Sequence, residues 1–164
     1  MNKLIIYGSL LSRSSMQKTL GDRAKTIHFK PVIIKEYKRI YNVFIPSYKC
    51  KNAAANIVKI KSPNNYFLNA VMIEINDNEL QLLNKREEIY TLKKVDSYDF
   101  ITGKYLGVAL TYLVEPHSIH FKNYIHPRLL DVFLAQSGAY QLSPQFGYIF
   151  DKTTFNCYDN LFLL

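Results

Sequence analysis

The segment Leu4-Ile5-Ile6-Tyr7-Gly8-Ser9-Leu10-Leu11 constrains the fold more than any other stretch of the chain. A short apolar run meets a Gly-Ser break, and a helix-compatible segment follows from about Ser12. That order reads as strand, tight turn and helix. Such a turn gathers backbone N–H groups at one concavity, close to a helix start. A concavity of this kind accepts a carboxylate or phosphate without any cationic side chain. The same residues also satisfy a plain structural reading, in which Gly8 serves the turn and Ser12 or Ser14 caps the helix.

Local signals order the rest of the chain. Ser14 to Leu20 reads as a short helix with Met16 and Leu20 facing inward and Gly21 as its stop. Val32 to Ile34, Arg39 to Phe44 and Asn56 to Lys61 carry the β-branched and aromatic content of strands. Pro46 to Ala55 reads as a loop, and Ser62-Pro63-Asn64-Asn65 as a turn. Phe67 to Ile75 alternates, with Ala70, Met72 and Glu74 on one side and Val71, Ile73 and Ile75 on the other. Ile89 to Val95 and Leu106 to Val114 follow as strands, with Gly103 at the bend between them. Pro127 suits the first position of a helix that buries Leu130, Phe133 and Leu134 and ends at Gly138. Ser143-Pro144 starts one more helix. The sum is an α+β domain around one curved sheet, a single domain over residues 1–164.

Between these elements, Asn76-Asp77-Asn78-Glu79 carries a helix start in which Asn76 caps and Glu79 closes a capping box. On the helix from Asp77 to about Glu87, Leu80 and Leu83 share a face. Glu87, seven residues beyond Leu80, falls on the same stripe, with Glu88 toward its edge. A carboxylate on an apolar face is costly unless it is paired. The plain alternative puts Glu87 in a frayed last turn, or paired with Arg86 or Lys94 in solvent.

Composition narrows the function classes. The formal net charge is +8, but the basic residues are scattered and lack the clustered footprint of a nucleic-acid surface. No apolar run reaches the length of a membrane span. The N-terminus lacks the pattern of a signal peptide, so the expected location is cytoplasmic. Cys50 and Cys157 make neither a disulfide framework nor a metal-ligand set; two plain thiols or one bridge both fit. His117, His120 and His126 have ligand-like spacing, but no Cys, Asp or Glu clusters with them in sequence, and no metal site is assigned. The apolar Asn160-Leu161-Phe162-Leu163-Leu164 segment fits docking on the body or on a second subunit, so monomer and homodimer both stay open.

Taken together, these pieces resemble the γ-glutamylcyclotransferase-like family. Tyr7-Gly8-Ser9-Leu10 is similar to its Tyr-Gly-Ser/Thr-Leu signature, and Ala55-Asn56-Ile57 to its Ala-Asn-Ile segment. Leu83-Asn84-Lys85-Arg86-Glu87-Glu88-Ile89-Tyr90 resembles its Leu-Asp-x-x-Glu … Tyr block, and Ser137-Gly138-Ala139 the Gly-Ala of its last long helix. The resemblance implies a mixed, barrel-like sheet with flanking helices. It also implies cleavage of a γ-glutamyl amine or peptide to 5-oxoproline and a free amine. Glu87 becomes the acid/base residue and Tyr7, Gly8, Ser9 and Leu10 the substrate cradle. Three positions depart from the pattern. Asn84 replaces the usual aspartate, Glu88 the usual glycine, and Asp131 stands where many members have a tyrosine facing the pocket.

The implied reaction is intramolecular: the α-amine of the glutamyl group attacks its own γ-carbonyl. Folding the substrate into that geometry supplies much of the acceleration. The N–H groups of Gly8 to Leu10 fit the α-carboxylate or the developing oxyanion. One carboxyl group can take a proton from the ammonium and return one to the leaving amine. It works best with a raised pKa, which burial beside Leu80, Leu83 and Ile89 favours. No metal or organic cofactor is required. Tyr90 and Tyr112 have hydroxyls that fit a donor role, or core packing. Two other classes compete: a module that binds a carboxylate-bearing metabolite without turnover, and a basic protein that binds nucleic acid.

Overall fold

The computed structural model describes residues 1–47, 52–60, 66–123 and 125–155. Cys50, Cys157, the turn at 62–65 and the apolar 160–164 segment lie outside the described residues. Five strands close into a barrel in the order β1-β5-β2-β6-β7, formed by β1 (Asn2–Ile6), β2 (Lys30–Lys35), β5 (Phe67–Ile75), β6 (Thr91–Asp99) and β7 (Tyr105–Leu113). Beside it stands a three-stranded sheet, β4-β3-β8, from β3 (Tyr37–Phe44), β4 (Ala53–Lys59) and β8 (Thr154–Phe155). The α+β class is as expected, but the strands divide between two sheets instead of forming one. β1 closes the barrel by pairing antiparallel with β5 and parallel with β7.

Both faces of β1 and β5 are covered, which explains their nearly continuous apolar sequences. Leu4, Ile6, Val71, Ile73 and Ile75 pack under the helices α1 (Arg13–Leu20), α2 (Arg23–Thr26), α3 (Asp77–Arg86), α4 (Leu129–Leu142) and α5 (Pro144–Lys152). Ile5, Tyr7, Leu68, Ala70 and Met72 join a second cluster with Val32, Val95, Ala109 and the inward residues of β3 and β4. Asn56 ties the two sheets together. Its buried carboxamide donates to the Asn42 side chain and the Val114 carbonyl, both at 3.0 Å, and accepts from the N–H groups of Ile57 and Val114, both at 2.9 Å. An amide with both ends satisfied is what makes a fully buried asparagine tolerable here.

Several local signals act as their chemistry predicts. Asn76 and Glu79 form the reciprocal capping box of α3. Ser143 caps α5, whose first residue is Pro144. α1 stops at Gly21, and Gly103 turns the β6–β7 hairpin with φ 67°.

Four expectations are corrected. Ala53 to Ala55 belong to β4, not to a loop, because their small side chains pack against the barrel cluster and Val43. Pro127 precedes α4, pairing with Ala53, and Arg128 is the cap. α4 buries Asp131, Ala135, Gly138 and Ala139, while Leu130 and Phe133 are 46% and 66% exposed. Gly138 lies inside this helix, which runs on to Leu142. A Cβ there would stand 2.4 Å from the Leu11 carbonyl carbon. Close approach of the helix, not a helix stop, is therefore what demands glycine.

Candidate active site

β1 delivers the chain to Tyr7, and Gly8 begins a single 3-10 turn, Ser9–Leu11. Its first internal bond runs from the Leu11 N–H to the Gly8 carbonyl at 2.9 Å. The N–H groups of Ser9 and Leu10 precede that bond, as at any helix start. Gly8 sits tight against β4, since a Cβ on it would approach the Ala55 methyl to 3.3 Å.

This turn forms one wall of a cavity of about 290 Å³. The other walls are Ala54 and Ala55 of β4, the end of α3 with Arg86 to Tyr90, Tyr112 of β7 and Asp131 of α4. Every sequence-derived site residue lines it: Tyr7, Gly8, Ser9, Leu10, Glu87, Tyr90 and Tyr112.

Glu87 occupies the C-terminal cap of α3, and its N–H donates to the Leu83 carbonyl at 2.8 Å. Its side chain is only 16% exposed, so the pair it makes with Arg86 is not a solvated one. Arg86 Nε donates to Glu87 Oε1 at 3.0 Å. Burial pushes the Glu87 carboxyl above the ordinary glutamate range. The charge and hydrogen bond of Arg86 pull it back, and the nearby Asp131 pushes it up again. A buried carboxyl with raised proton affinity suits proton transfer near neutrality.

The tyrosines are committed to the scaffold. Tyr7 donates to the Tyr112 carbonyl at 2.6 Å, Tyr112 to Asn84 Oδ1 at 2.7 Å, and Tyr90 to the Ala55 carbonyl at 2.8 Å. Burial, reinforced by the Glu87 charge, raises the Tyr7 and Tyr112 hydroxyls above their usual value, so both stay neutral. Their hydroxyls brace the cavity walls. Asn84 serves here as a neutral acceptor. Glu88 lines the cavity but is exposed.

Two further charged residues shape the site: Asp131, already singled out in sequence as a departure from the family pattern, and Arg39, which gains importance only in three dimensions. Asp131, 6% exposed, brings a second carboxylate into the cavity and lies 3.6 Å from Arg128 Nη1. Arg39, completely buried, stands behind the turn. Its Nε donates to the Tyr7 carbonyl at 2.9 Å, Nη1 reaches the Phe150 carbonyl and the Thr154 hydroxyl, and Nη2 the Asn69 carbonyl. The Phe150 ring lies 3.7 Å from the guanidinium carbon. Local sequence offered no signal for Arg39, which follows Lys38 near the start of β3; burial of arginine is rare unless its donors are met, and only the fold supplies the acceptors.

Among the described residues, no cluster of three or more His, Cys, Asp or Glu side chains is grouped for a metal. His120 Nδ1 lies 3.1 Å from the Phe44 carbonyl. No helix among the described residues is long and apolar enough to cross a membrane.

No family model and no curated protein matches the chain. Solved structures do. The chain aligns with a γ-glutamyl cyclotransferase at TM-score 0.73 and 16% identity, over 93% of this chain and 85% of that one. YkqA from Bacillus subtilis aligns at TM-score 0.70 and 20% identity, over 92% of this chain, which spans 53% of YkqA. A yeast γ-glutamyl cyclotransferase specific to glutathione aligns at TM-score 0.66 and 13% identity, over 93% of this chain and 96% of that one. The barrel and its flanking helices are thus built on the γ-glutamyl cyclotransferase fold.

Proposed function

We propose that this chain is a γ-glutamylcyclotransferase-type enzyme that releases 5-oxoproline and a free amine from a γ-glutamyl amine or peptide. One observation carries the reading: a buried carboxyl, Glu87, shares a cavity with the backbone turn at Gly8 to Leu10. The turn N–H groups hold the substrate α-carboxylate. Glu87 takes a proton from the α-ammonium, and the freed amine attacks the γ-carbonyl to close the ring. The scissile C–N bond then breaks as Glu87 returns that proton to the departing amine, and the ring nitrogen loses its second proton, through the regenerated Glu87 carboxylate, to the released amine or to solvent. Fixing the two reacting ends in one fold supplies the proximity term. The residues need no cofactor for these steps.

The test is 5-oxoproline release from a panel of γ-glutamyl dipeptides, γ-glutamyl-ε-lysine, glutathione and γ-glutamyl polyamines, with Glu87→Gln in parallel. Turnover of one substrate class, lost in the variant, is the expected result. Turnover unchanged in Glu87→Gln would remove Glu87 from the mechanism.

Asp131 favours a second reading. A carboxylate stands in the cavity where the sequence resemblance leads one to expect a tyrosine. In that reading the pocket binds a carboxylate-bearing metabolite without turnover. Thermal stabilisation by a panel member without product would support it.

A further inference from the structure

We propose that Arg86 is a positioning residue that locks the Glu87 carboxylate to α1 and thereby to the cavity turn. This rests on the reading of Glu87 as the acid/base group. The guanidinium has five N–H donors, and four hydrogen bonds leave it in two directions. Nε serves Glu87 Oε1 at 3.0 Å. Nη1 serves the Ser15 carbonyl at 2.7 Å and the Thr19 hydroxyl at 3.0 Å, and Nη2 the Ser15 hydroxyl at 2.9 Å. Ser15 and Thr19 are one helical turn apart on α1, so they present one face to the planar fork. α1 begins at Arg13, one residue after the 3-10 turn that lines the cavity. Arg86 therefore spans the seam between the two parts of the site. With an Arg86 side chain 24% exposed, the pair is neither solvent-screened nor buried without access.

The arrangement has a chemical consequence. A base that moves through an arc of rotamers presents its lone pair to the ammonium only part of the time, and a misplacement of about 1 Å can cost about 10²-fold in rate. Arg86 removes that freedom and favours the ionised, proton-accepting form of Glu87 against the effect of burial. The groups that act on this carboxylate come from four elements: Arg86 on α3, Asp131 on α4, Tyr7 at the end of β1 and Tyr112 on β7. Arg86 is the cation of the set; Asp131 opposes it and the two tyrosines are neutral.

A merely structural role, tying α3 to α1, predicts lost stability with no change at the carboxyl. The experiment is a ¹³C NMR titration of the Glu87 side-chain carboxyl, assigned by difference against Glu87→Gln. Wild type, Arg86→Gln, Arg86→Lys and the Ser15→Ala/Thr19→Val double variant are compared. Arg86→Gln is expected to raise the midpoint by about one pH unit or more, the usual size for losing an adjacent opposite charge. Arg86→Lys, which keeps the charge without the fork, falls between. The double variant keeps Arg86 but unseats it, and shifts the midpoint upward by less. A folded Arg86→Gln protein titrating like wild type would overturn the proposal. If Arg86→Gln does not fold, an unshifted double variant overturns it instead. The titration needs no substrate. Failure of the wild type to release 5-oxoproline would therefore defeat the enzyme reading while the titration still judged Arg86. In an active enzyme, the double variant should lose kcat with KM retained.

Discussion

Gly138 of α4 presses on the backbone of Leu11, and a Cβ added to it would lie 2.5 Å from the Leu11 carbonyl oxygen and 2.7 Å from the Ser12 nitrogen. Neither atom belongs to a side chain that could swing away. The contact sets how deeply α4 seats against the turn, and so fixes the wall from which Asp131 enters the cavity.

Gly138→Ala tests that contact with a diagnostic sign. In an open helix interior the change stabilises by about 1 kcal/mol through propensity. Here it forces backbone apart, and overpacking of this kind costs about 1–3 kcal/mol. Urea unfolding should show a net loss of stability, and γ-glutamyl substrates should bind more weakly as the turn shifts. A stabilised variant would mean that the turn gives way freely.

Arg39 should be irreplaceable for folding. Arg39→Met leaves the carbonyls of Tyr7, Asn69 and Phe150 without their guanidinium donor. The Phe150 carbonyl keeps the Thr154 hydroxyl as a donor, but at about 1–3 kcal/mol for each buried group left unsatisfied, the loss at Tyr7 and Asn69 is a large share of the stability of a domain, about 5–15 kcal/mol. Arg39→Lys should recover little, because one ammonium cannot serve acceptors spread over β1, β5 and α5. Thermal unfolding and soluble yield provide the measurement; near-wild-type stability in either variant would contradict the role described.

The pH behaviour of Glu87 follows from its raised proton affinity. Activity needs the ionised base, so the acidic limb of kcat/KM should lie above the ordinary glutamate range, with rate rising as pH increases through it. Stability moves the other way. The folded state holds the proton more tightly than the unfolded state, so Glu87 withdraws stability as pH rises from the unfolded value through the folded one. Glu87→Gln should therefore match wild type in acid and unfold at a higher temperature near neutrality. A variant less stable at neutral pH would show that the Arg86 pair outweighs burial.

Much of the site was legible because it is local. The Tyr7-Gly8-Ser9-Leu10 turn, the Asn76–Glu79 capping box and the placement of Glu87 on the Leu80–Leu83 stripe follow from spacing alone. What spacing left open was whether Glu87 met water. That depended on α1 and α4 closing over it, and on Arg86 finding Ser15 and Thr19 more than sixty residues away in sequence.

The sequence by itself determined the boundaries that local chemistry sets, the Asn76–Glu79 box, the Ser143 cap and the glycines at 21 and 103, since caps and turns act over a few residues, whereas packing set the start of β4 and both ends of α4. Tertiary structure alone decided which face α4 shows. α4 is apolar around most of its circumference, so no periodic pattern favours one side. The small face, Ala135, Gly138 and Ala139, won because only small residues let the helix reach the Leu11 backbone, and the bulkier Leu130 and Phe133 were turned outward. The same closeness carried Asp131 into the cavity. Arg39 entered the core for a related reason, because carbonyls from the end of β1, from β5 and from α5 converge there and a planar fork can meet them together.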